Sequence, residues 1–474
     1  MRFHAAFKLL SSNVIMPTHD NKVPPMKPIA HTLIAASAGA LVALTAPTAV
    51  NAARGNETWR ELDTLMDVFL KVRETYVDQV DDKTLIEGAI NGMLASLDPH
   101  SSYLDARDSE NMRSQTDGEY GGLGLTVSSE DGAVRVVAPT DETPAARAGI
   151  KSGDYITHLD DQLIFGSTLN EAVDKMRGKP GSTIKLTVVR PGQPKPLTFD
   201  LTREVIKIRP VRWEARGNVG VIRIASFNRQ TGEATRLGVT TLAKQIGPDL
   251  AGYVIDLRSN PGGLLDQAID VSDTFLERGE IVSQRGRSKD DIERYYARAT
   301  DLSGGKPIVV LVDEGSASAA EIVAGALQDQ KRAIVIGQRT FGKGSVQTLI
   351  PLGPESGLRL TTARYYTPAG KSVQEAGIDP DIVVPQLTDP TRNERPRLRE
   401  ADLRNHLVAE KKADDKLIED DGKPDPRFKL TADELKKQGI TDYQLDYAVK
   451  LVGRLGPAPL PKAQIAQVTA ADPR

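Results

Sequence analysis

Residues 306–329, "KPIVVLVDEGSASAAEIVAGALQD", constrain the fold of this chain more than any other stretch. An apolar, β-branched run, Ile308–Val312, reads as a buried strand. A turn of small residues follows, and the pattern then continues as a helix. Strand, tight turn and helix in this order form the repeating unit of α/β folds. "GYVIDLRSNPGG" at 252–263 starts as the same kind of strand and also ends in a small-residue turn. Residues 205–386 therefore read as one body of mixed strands and helices.

The full chain has 474 residues, enough for about three domains. Residues 53–116 form an N-terminal helical region. In "WRELDTLMDVFLKVRETYV", Leu62, Leu65, Met66, Phe69 and Val72 fall at three- and four-residue spacing, an amphipathic stripe. "DDKTLIEGAINGMLASL" repeats the habit, with Asp82 as a cap, and "LDPHSSYLD" is a turn. Residues 117–204 change character: short alternating strands surround two short helices. With "GGLGL" at its start and "AARAGIKSGDYI" behind it, this module resembles a PDZ domain. Gly122, Leu123, Gly124 and Leu125 then correspond to the carboxylate-binding loop. Small residues there let successive N–H groups turn toward a C-terminal carboxylate while the peptide adds a strand. Beyond Gln386 the composition becomes charged, so 387–474 reads as a solvated tail ending in a helix. Leu445, Ala448, Val449, Val452 and Leu455 share one face of that helix, which packs either on its own body or on a second subunit.

The N-terminus reads as a leader over 1–52. Lys27 precedes an apolar run near 29–46, and Val50-Asn51-Ala52 fits a small-x-small cleavage site. The alternative is an uncleaved membrane anchor, which a run this short and broken by Pro47 suits less well. Met26 makes a better start than Met1 for such a signal. The chain has no cysteine, which removes disulfides and thiolate chemistry. Its 61 basic and 64 acidic residues nearly balance, so no basic face calls for nucleic acid.

"GQRTFGKGS" at 337–345 nearly spells a phosphate-binding loop, with Gly337, Gly342 and Lys343 at the required spacing. Position 344 is glycine where a magnesium-binding hydroxyl belongs, and "VQTLIPL" after it reads as a strand rather than a helix. The alternative is a lysine that works uncharged. Ser318 falls at the turn into the helix of "DEGSASAAEI", where a hydroxyl stands at a strand end and the next N–H faces any developing oxyanion. The turn "RSNPGG" supplies a second N–H, from Gly262 or Gly263. A neutral lysine can take the serine proton once burial has lowered its pKa by roughly three units from ~10.4. Ser316 is the competing serine, and spacing to the lysine favours Ser318. "STIK" at 182–185 reads as strand, so its serine and lysine point to opposite faces. His100, His158 and His406 lack a strand-end context, which disfavours a histidine triad.

These motifs together resemble the carboxy-terminal processing proteases, peptidase family S41. The resemblance spans about residues 57–386 and rests on "LDPHSSYL", "GGLGLTV", "KMRGKPGS", "DLRSNPGGLL", "GSASAAEI", "FGKGSVQ" and "YYTPAGKSVQEAGIDPDI". It implies a ClpP/crotonase-like serine protease core at 205–386, with an inserted PDZ domain and no cofactor or metal. It implies Ser318 as nucleophile, Lys343 as general base and Gln347 as the residue orienting the lysine. Ala319 and Gly262 would form the oxyanion hole, Arg177 would link the PDZ domain to the core, and Asp329 falls where some members carry a supporting acid. The expected function is endoproteolysis of proteins at or from unstructured C-termini in the periplasm, with the PDZ domain reading the tail and gating activity. An adaptor protein and a homo-oligomer built through the terminal helices are further expectations; nucleic acid is not one, and membrane contact would need an uncleaved leader. The rival reading is a non-catalytic, PDZ-containing peptide-binding protein of the same fold, which labelling of Ser318 by a serine-reactive probe would distinguish.

Overall fold

The computed structural model describes residues 57–130, 132–288, 290–298, 301–354, 356–389, 398–409 and 428–455. The expected leader and its cleavage site lie outside these residues. Chain contacts divide the molecule after Ile86. In the first unit, residues 57–75 are helical as the stripe predicts. Trp59, Leu62, Leu65 and Met66 stand exposed along this helix.

The second unit holds the remainder. Its central sheet has six strands in spatial order Val211–Arg216, Val219–Ile224, Gly252–Asp256, Ile308–Val312, Ile334–Gly337 and Ile382–Val383. The first pair is antiparallel and every later pair parallel. Alternation along a strand sends neighbouring side chains to opposite faces. Tyr253, Ile255, Val310 and Val312 pack beneath the helices Thr231–Ile246, Leu265–Asp273 and Ala319–Asp329. Val254, Val309 and Leu311 pack on the other face against Ala448 and Val452 of the helix Tyr443–Leu455. Covering both faces explains why these strands are apolar throughout. The last helix therefore packs on its own body, the first of the two alternatives its sequence left open.

A second, antiparallel sheet pairs Gly357–Tyr366 with Ser102–Leu104, Glu280–Arg285 and Ser345–Pro351. It brings the turn at 97–101 next to the strand that follows Lys343. The module at 119–207 is a five-strand sheet ordered Leu125–Glu130, Ala133–Pro139, Tyr155–Leu159, Thr183–Val189 and Leu197–Thr202, with a short strand, Gln162–Leu163, beside the third. It carries the helices Pro144–Arg147 and Leu169–Met176, and its strand Leu125–Glu130 is an open edge. A two-strand ribbon, Glu119–Gly122 on Glu204–Lys207, joins it to the body.

The charged composition after Gln386 suggests a solvated tail, and its described parts are instead anchored to the body by a few buried side chains. Leu435, Tyr443, Ala448 and Val452 are buried in the core, and Glu400 is wholly removed from solvent. Composition averages over a segment, whereas burial is decided by the few residues on its inner face.

Candidate active site

Adjacent parallel strands Gly252–Asp256 and Ile308–Val312 end in two turns that are stitched together. Asp313 Oδ1 accepts hydrogen bonds from the N–H groups of Ser259 (2.6 Å) and Gly315 (2.9 Å). The N–H of Ala317 donates to Asn260 O at 2.9 Å. Ser316 is fully buried; its Oγ donates to Leu257 O (2.9 Å) and accepts from the N–H of Asp313 (2.9 Å). That hydroxyl is committed to holding the turns, so Ser316 does not compete with Ser318.

Ser318 caps the helix Ala319–Asp329 with φ +54° and ψ −113°. A non-glycine residue held there is strained by about 1–3 kcal/mol. This conformation places the largely buried Ser318 side chain at the helix N-terminus. Glu321, three residues into the helix, completes a capping box with Ser318. Its carboxylate is entirely buried and reaches back to the N–H of Ser318 at 2.7 Å, through Oε2. The same Oε2 accepts the N–H of Lys343 at 2.9 Å. Oε1 accepts the N–H of Gly342 (2.8 Å) and the hydroxyl of Thr340 (2.5 Å). One carboxylate thus fixes the backbone of serine and lysine together, their nitrogens within two hydrogen-bond lengths of each other. Burial pushes the Glu321 pKa up to about 7, opposed by these four donors.

Lys343 is half-buried on the loop between Gly337 and Ser345. Burial is the main cause that lowers its pKa from the ordinary amine range, and the charge of Arg359 adds to the effect. Glu400, Glu321 and Asp98 pull in the opposite direction. Such an amine loses its proton more readily than an exposed lysine does. Gln347 lies on the next strand, its Nε2 donating to Ser345 Oγ (3.0 Å) and Thr361 Oγ1 (3.2 Å). Among the described residues no hydrogen bond joins Gln347 to Lys343.

Gly262 lies directly against the serine. A Cβ on it would meet Ser318 Cβ at 2.8 Å and Ala319 N at 3.0 Å, and its φ is +99°, so only glycine fits. Its N–H is already donated to Asn260 Oδ1 at 2.9 Å. Asp329 stands at the other end of the eleven-residue helix that Ser318 caps, about 16 Å from Ser318 at about 1.5 Å per residue, and accepts the N–H of Ala369. The structure does not bring it to the serine.

In the small module, Gly122 and Leu123 are buried, Gly124 takes φ +75°, and Leu125 opens the edge strand. The carbonyls of Leu123 and Gly124 accept the N–H groups of Ala145 and Thr140. Half-buried Leu125, Val127, Leu169 and Val173 border the core beside that edge. Arg177 donates to Asn111 Oδ1 at 3.0 Å and lies 5.0 Å from the ring centre of Tyr120. It therefore meets the helix Ala106–Asp117 rather than the central sheet. That helix is tied onward, since Thr116 O accepts the N–H of Arg229, and the N–H of Phe227 donates to Gly262 O.

Sequence reasoning overlooks Glu321, although Ser318-Ala-Ala-Glu321 has capping-box spacing and that signal would have found it. It also passes over His100, Gln374 and Glu400, which meet beside the lysine loop and which no local pattern joins.

Comparison with known proteins bears on the family and its domains. Residues 218–384 match the sequence profile of peptidase family S41, 121–201 that of a PDZ domain, and 36–108 that of the activating protease CtpB N-terminal domain. The carboxy-terminal-processing protease of Bartonella bacilliformis is 51% identical over 359 residues, covering 75% of this chain and 83% of that protein. The carboxy-terminal processing protease CtpB of Bacillus subtilis is 35% identical over 347 residues, covering 72% of each. A solved photosystem II D1 C-terminal processing protease shares 33% identity over 66% of this chain and 86% of that one, with a TM-score of 0.41. On the strength of the sequence relatives, this chain belongs to the carboxy-terminal processing proteases of peptidase family S41.

Proposed function

We propose that the protein is an exported, periplasmic serine endopeptidase that cuts proteins at or from their C-terminal regions through a Ser318–Lys343 dyad. The observation that carries this reading is the shared Glu321 oxygen, which holds the nucleophile and the base by their backbones at 2.7 and 2.9 Å. Neutral Lys343 Nζ takes the Ser318 Oγ proton as Oγ attacks the scissile carbonyl. The oxyanion is received by the N–H of Ala319 at the helix N-terminus and by one from the 262–263 turn. Because the N–H of Gly262 is held by Asn260, Gly263 serves as the second donor, with Gly262 giving the close approach. The lysine ammonium then passes its proton to the leaving amine, and water repeats the sequence on the acyl-enzyme. Gln347 Oε1 orients the lysine, its amide having been fixed by Ser345 and Thr361.

The PDZ domain takes the substrate tail by adding it to the Leu125–Glu130 edge, with the terminal carboxylate on the Gly122–Leu125 loop and the last apolar side chain beside Leu169 and Val173. Arg177 reports occupancy to the core through Asn111. The exposed apolar stripe of residues 57–75 supports a homo-oligomer formed through that helix. Ser318→Ala and Lys343→Ala should each lower cleavage of a denatured protein by at least about 10³-fold, and a serine-reactive probe should label Ser318 in the parent alone. Substantial cleavage by either variant would sink the dyad.

A further inference from the structure

Residues 398–409 lie beyond the span that matches the S41 profile, and they form a strap across the lysine loop. Arg399 donates to the carbonyls of Glu375 (2.6 Å) and Ala376 (3.2 Å). His406 Nε2 meets Glu375 Oε1 at 2.7 Å, and the N–H of Ala409 donates to Glu375 Oε2 at 2.9 Å. Half of the strap's residues are exposed, yet Glu400 within it is 0% exposed. A carboxylate taken wholly out of water destabilises a fold unless its partners compensate. The partners here lead to the catalytic loop.

Glu400 donates its N–H to Phe341 O at 3.1 Å, two residues before Lys343. Its Oε1 accepts from Gln374 Nε2 at 3.1 Å. Gln374, also fully buried, turns its Oε1 the other way and accepts the N–H of Gly344 at 3.0 Å. The contact is close, since a Cβ on Gly344 would meet Gln374 N at 2.2 Å. The two N–H groups at 343 and 344 are thus held by separate buried clamps, Glu321 and the Gln374–Glu400 pair. On its other side Glu400 meets His100 Nε2, 2.9 Å from each carboxylate oxygen. Asp98 Oδ1 receives the N–H of His100 (2.8 Å) and the hydroxyl of Thr361 (3.1 Å), and Thr361 Oγ1 receives Gln347 Nε2 (3.2 Å). A continuous network of buried and half-buried groups therefore runs from Gly344 round to Gln347.

We infer that Glu400, acting through Gln374 and braced by His100, is a positioning residue for the general base: the strap fixes the lysine loop and places a negative charge beside the amine. This inference rests on Lys343 being the base. The charged groups facing the amine are Asp98, Glu321, Glu400 and Arg359, with His100 seated on Glu400. Among these Glu400 favours the ammonium form, so removing its charge must make the lysine more acidic.

The test uses the full-length protein, a denatured protein substrate and steady-state kinetics from acid to alkaline pH. Glu400→Ala should lower kcat about 10- to 100-fold, the loss typical of a catalytic group misplaced by about 1 Å, with KM within about twofold. Glu400→Gln keeps an acceptor for Gln374 and nearly the native volume. It should recover most of kcat and move the acid limb of kcat/KM to lower pH. Kinetics of both variants indistinguishable from the parent, with Lys343→Ala inactive, would overturn the strap's role and leave the dyad intact. An acid limb unmoved or moved upward in Glu400→Gln would equally overturn it. Activity retained by Lys343→Ala would instead remove the dyad reading on which it rests.

Discussion

The two halves of the proposed dyad are built by opposite means. The serine side is local. Strand Ile308–Val312, the turn, strained Ser318 and the buried helix Ala319–Asp329 follow one another within 22 residues, and the cap Glu321 stands three residues beyond the serine it holds. The lysine side is assembled from a distance. Its loop is held by Glu321 from the nucleophile helix, Gln374 from a later turn, Glu400 from the strap and, through Glu400, His100 from near the N-terminus. A nucleophile needs a fixed geometry at a helix N-terminus, which a strand-to-helix turn provides by itself. A base that must lose its proton needs to be enclosed, and enclosure takes residues from several parts of the chain.

Glu321 belongs to both halves, so its removal tests the contrast most severely. Glu321→Ala should cost on the order of 10²- to 10⁴-fold in kcat, because the two bonds that hold the Ser318 and Lys343 backbones, about 1.5–3 kcal/mol each when charge-assisted, are lost at once. KM should change little. A KM effect without a kcat effect, read from initial rates, would mean that Glu321 shapes substrate binding and not the dyad.

The pH profile separates the halves next. Lys343 must be neutral to act as the base, so kcat/KM should fall as pH drops and Nζ takes up its proton, and protonation of Glu321 near pH 7 should steepen the fall. The acid-limb midpoint should lie below the ordinary lysine value of ~10.4, as burial dictates. Mutating the nearby cation, Arg359→Met, should raise that midpoint, and an unmoved midpoint would show that Arg359 does not act on the amine.

The serine side has one distant support, and its effect should be smaller. Arg258, buried at the root of the 258–263 turn, pairs with Asp256 (2.8 Å) and with Asp442 (2.7 Å), which begins the last helix. Although burial opposes it, pairing with Arg258 brings the Asp442 pKa down to about 2. A depressed carboxylate stabilises the fold above its unfolded value of ~3.8, and that contribution is lost as pH falls through about 2. Asp442→Asn should therefore cost roughly 1–2 kcal/mol at pH 7, allowing for solvent screening, and almost nothing near pH 2. Urea midpoints at the two pH values measure this, and a deficit independent of pH would refute the ion-pair account.

Arg177→Ala should have the smallest effect on the chemistry. It removes the contacts to Asn111 and Tyr120 and leaves both halves of the dyad in place. Cleavage of a substrate with a free C-terminal tail should change by a few-fold relative to one with an amidated tail, with labelling of Ser318 unaltered. If the ratio of the two rates stays at the parent value, Arg177 has no part in coupling the PDZ domain to the core.

The legibility of the sequence follows the same division. Short-range patterns revealed the serine side: an apolar strand with no polar face, a small-residue turn and helix spacing behind it. The edge strand and paired helices of the PDZ module were visible for the same reason. Glu321 was readable as a cap and was passed over. Lys343 could be found by motif, but its clamp could not. Glu400 sits in a segment whose composition is that of a solvated tail, and His100 lies 300 residues away from it in sequence. The sequence by itself determined the strands, the small-residue turn into the helix and which serine and lysine to propose as nucleophile and base, because those depend on neighbours a few residues apart. Only the tertiary structure decided how the lysine is enclosed, charged and held, because burial and Coulomb interaction depend on distance in space, and distance along the chain says nothing about them.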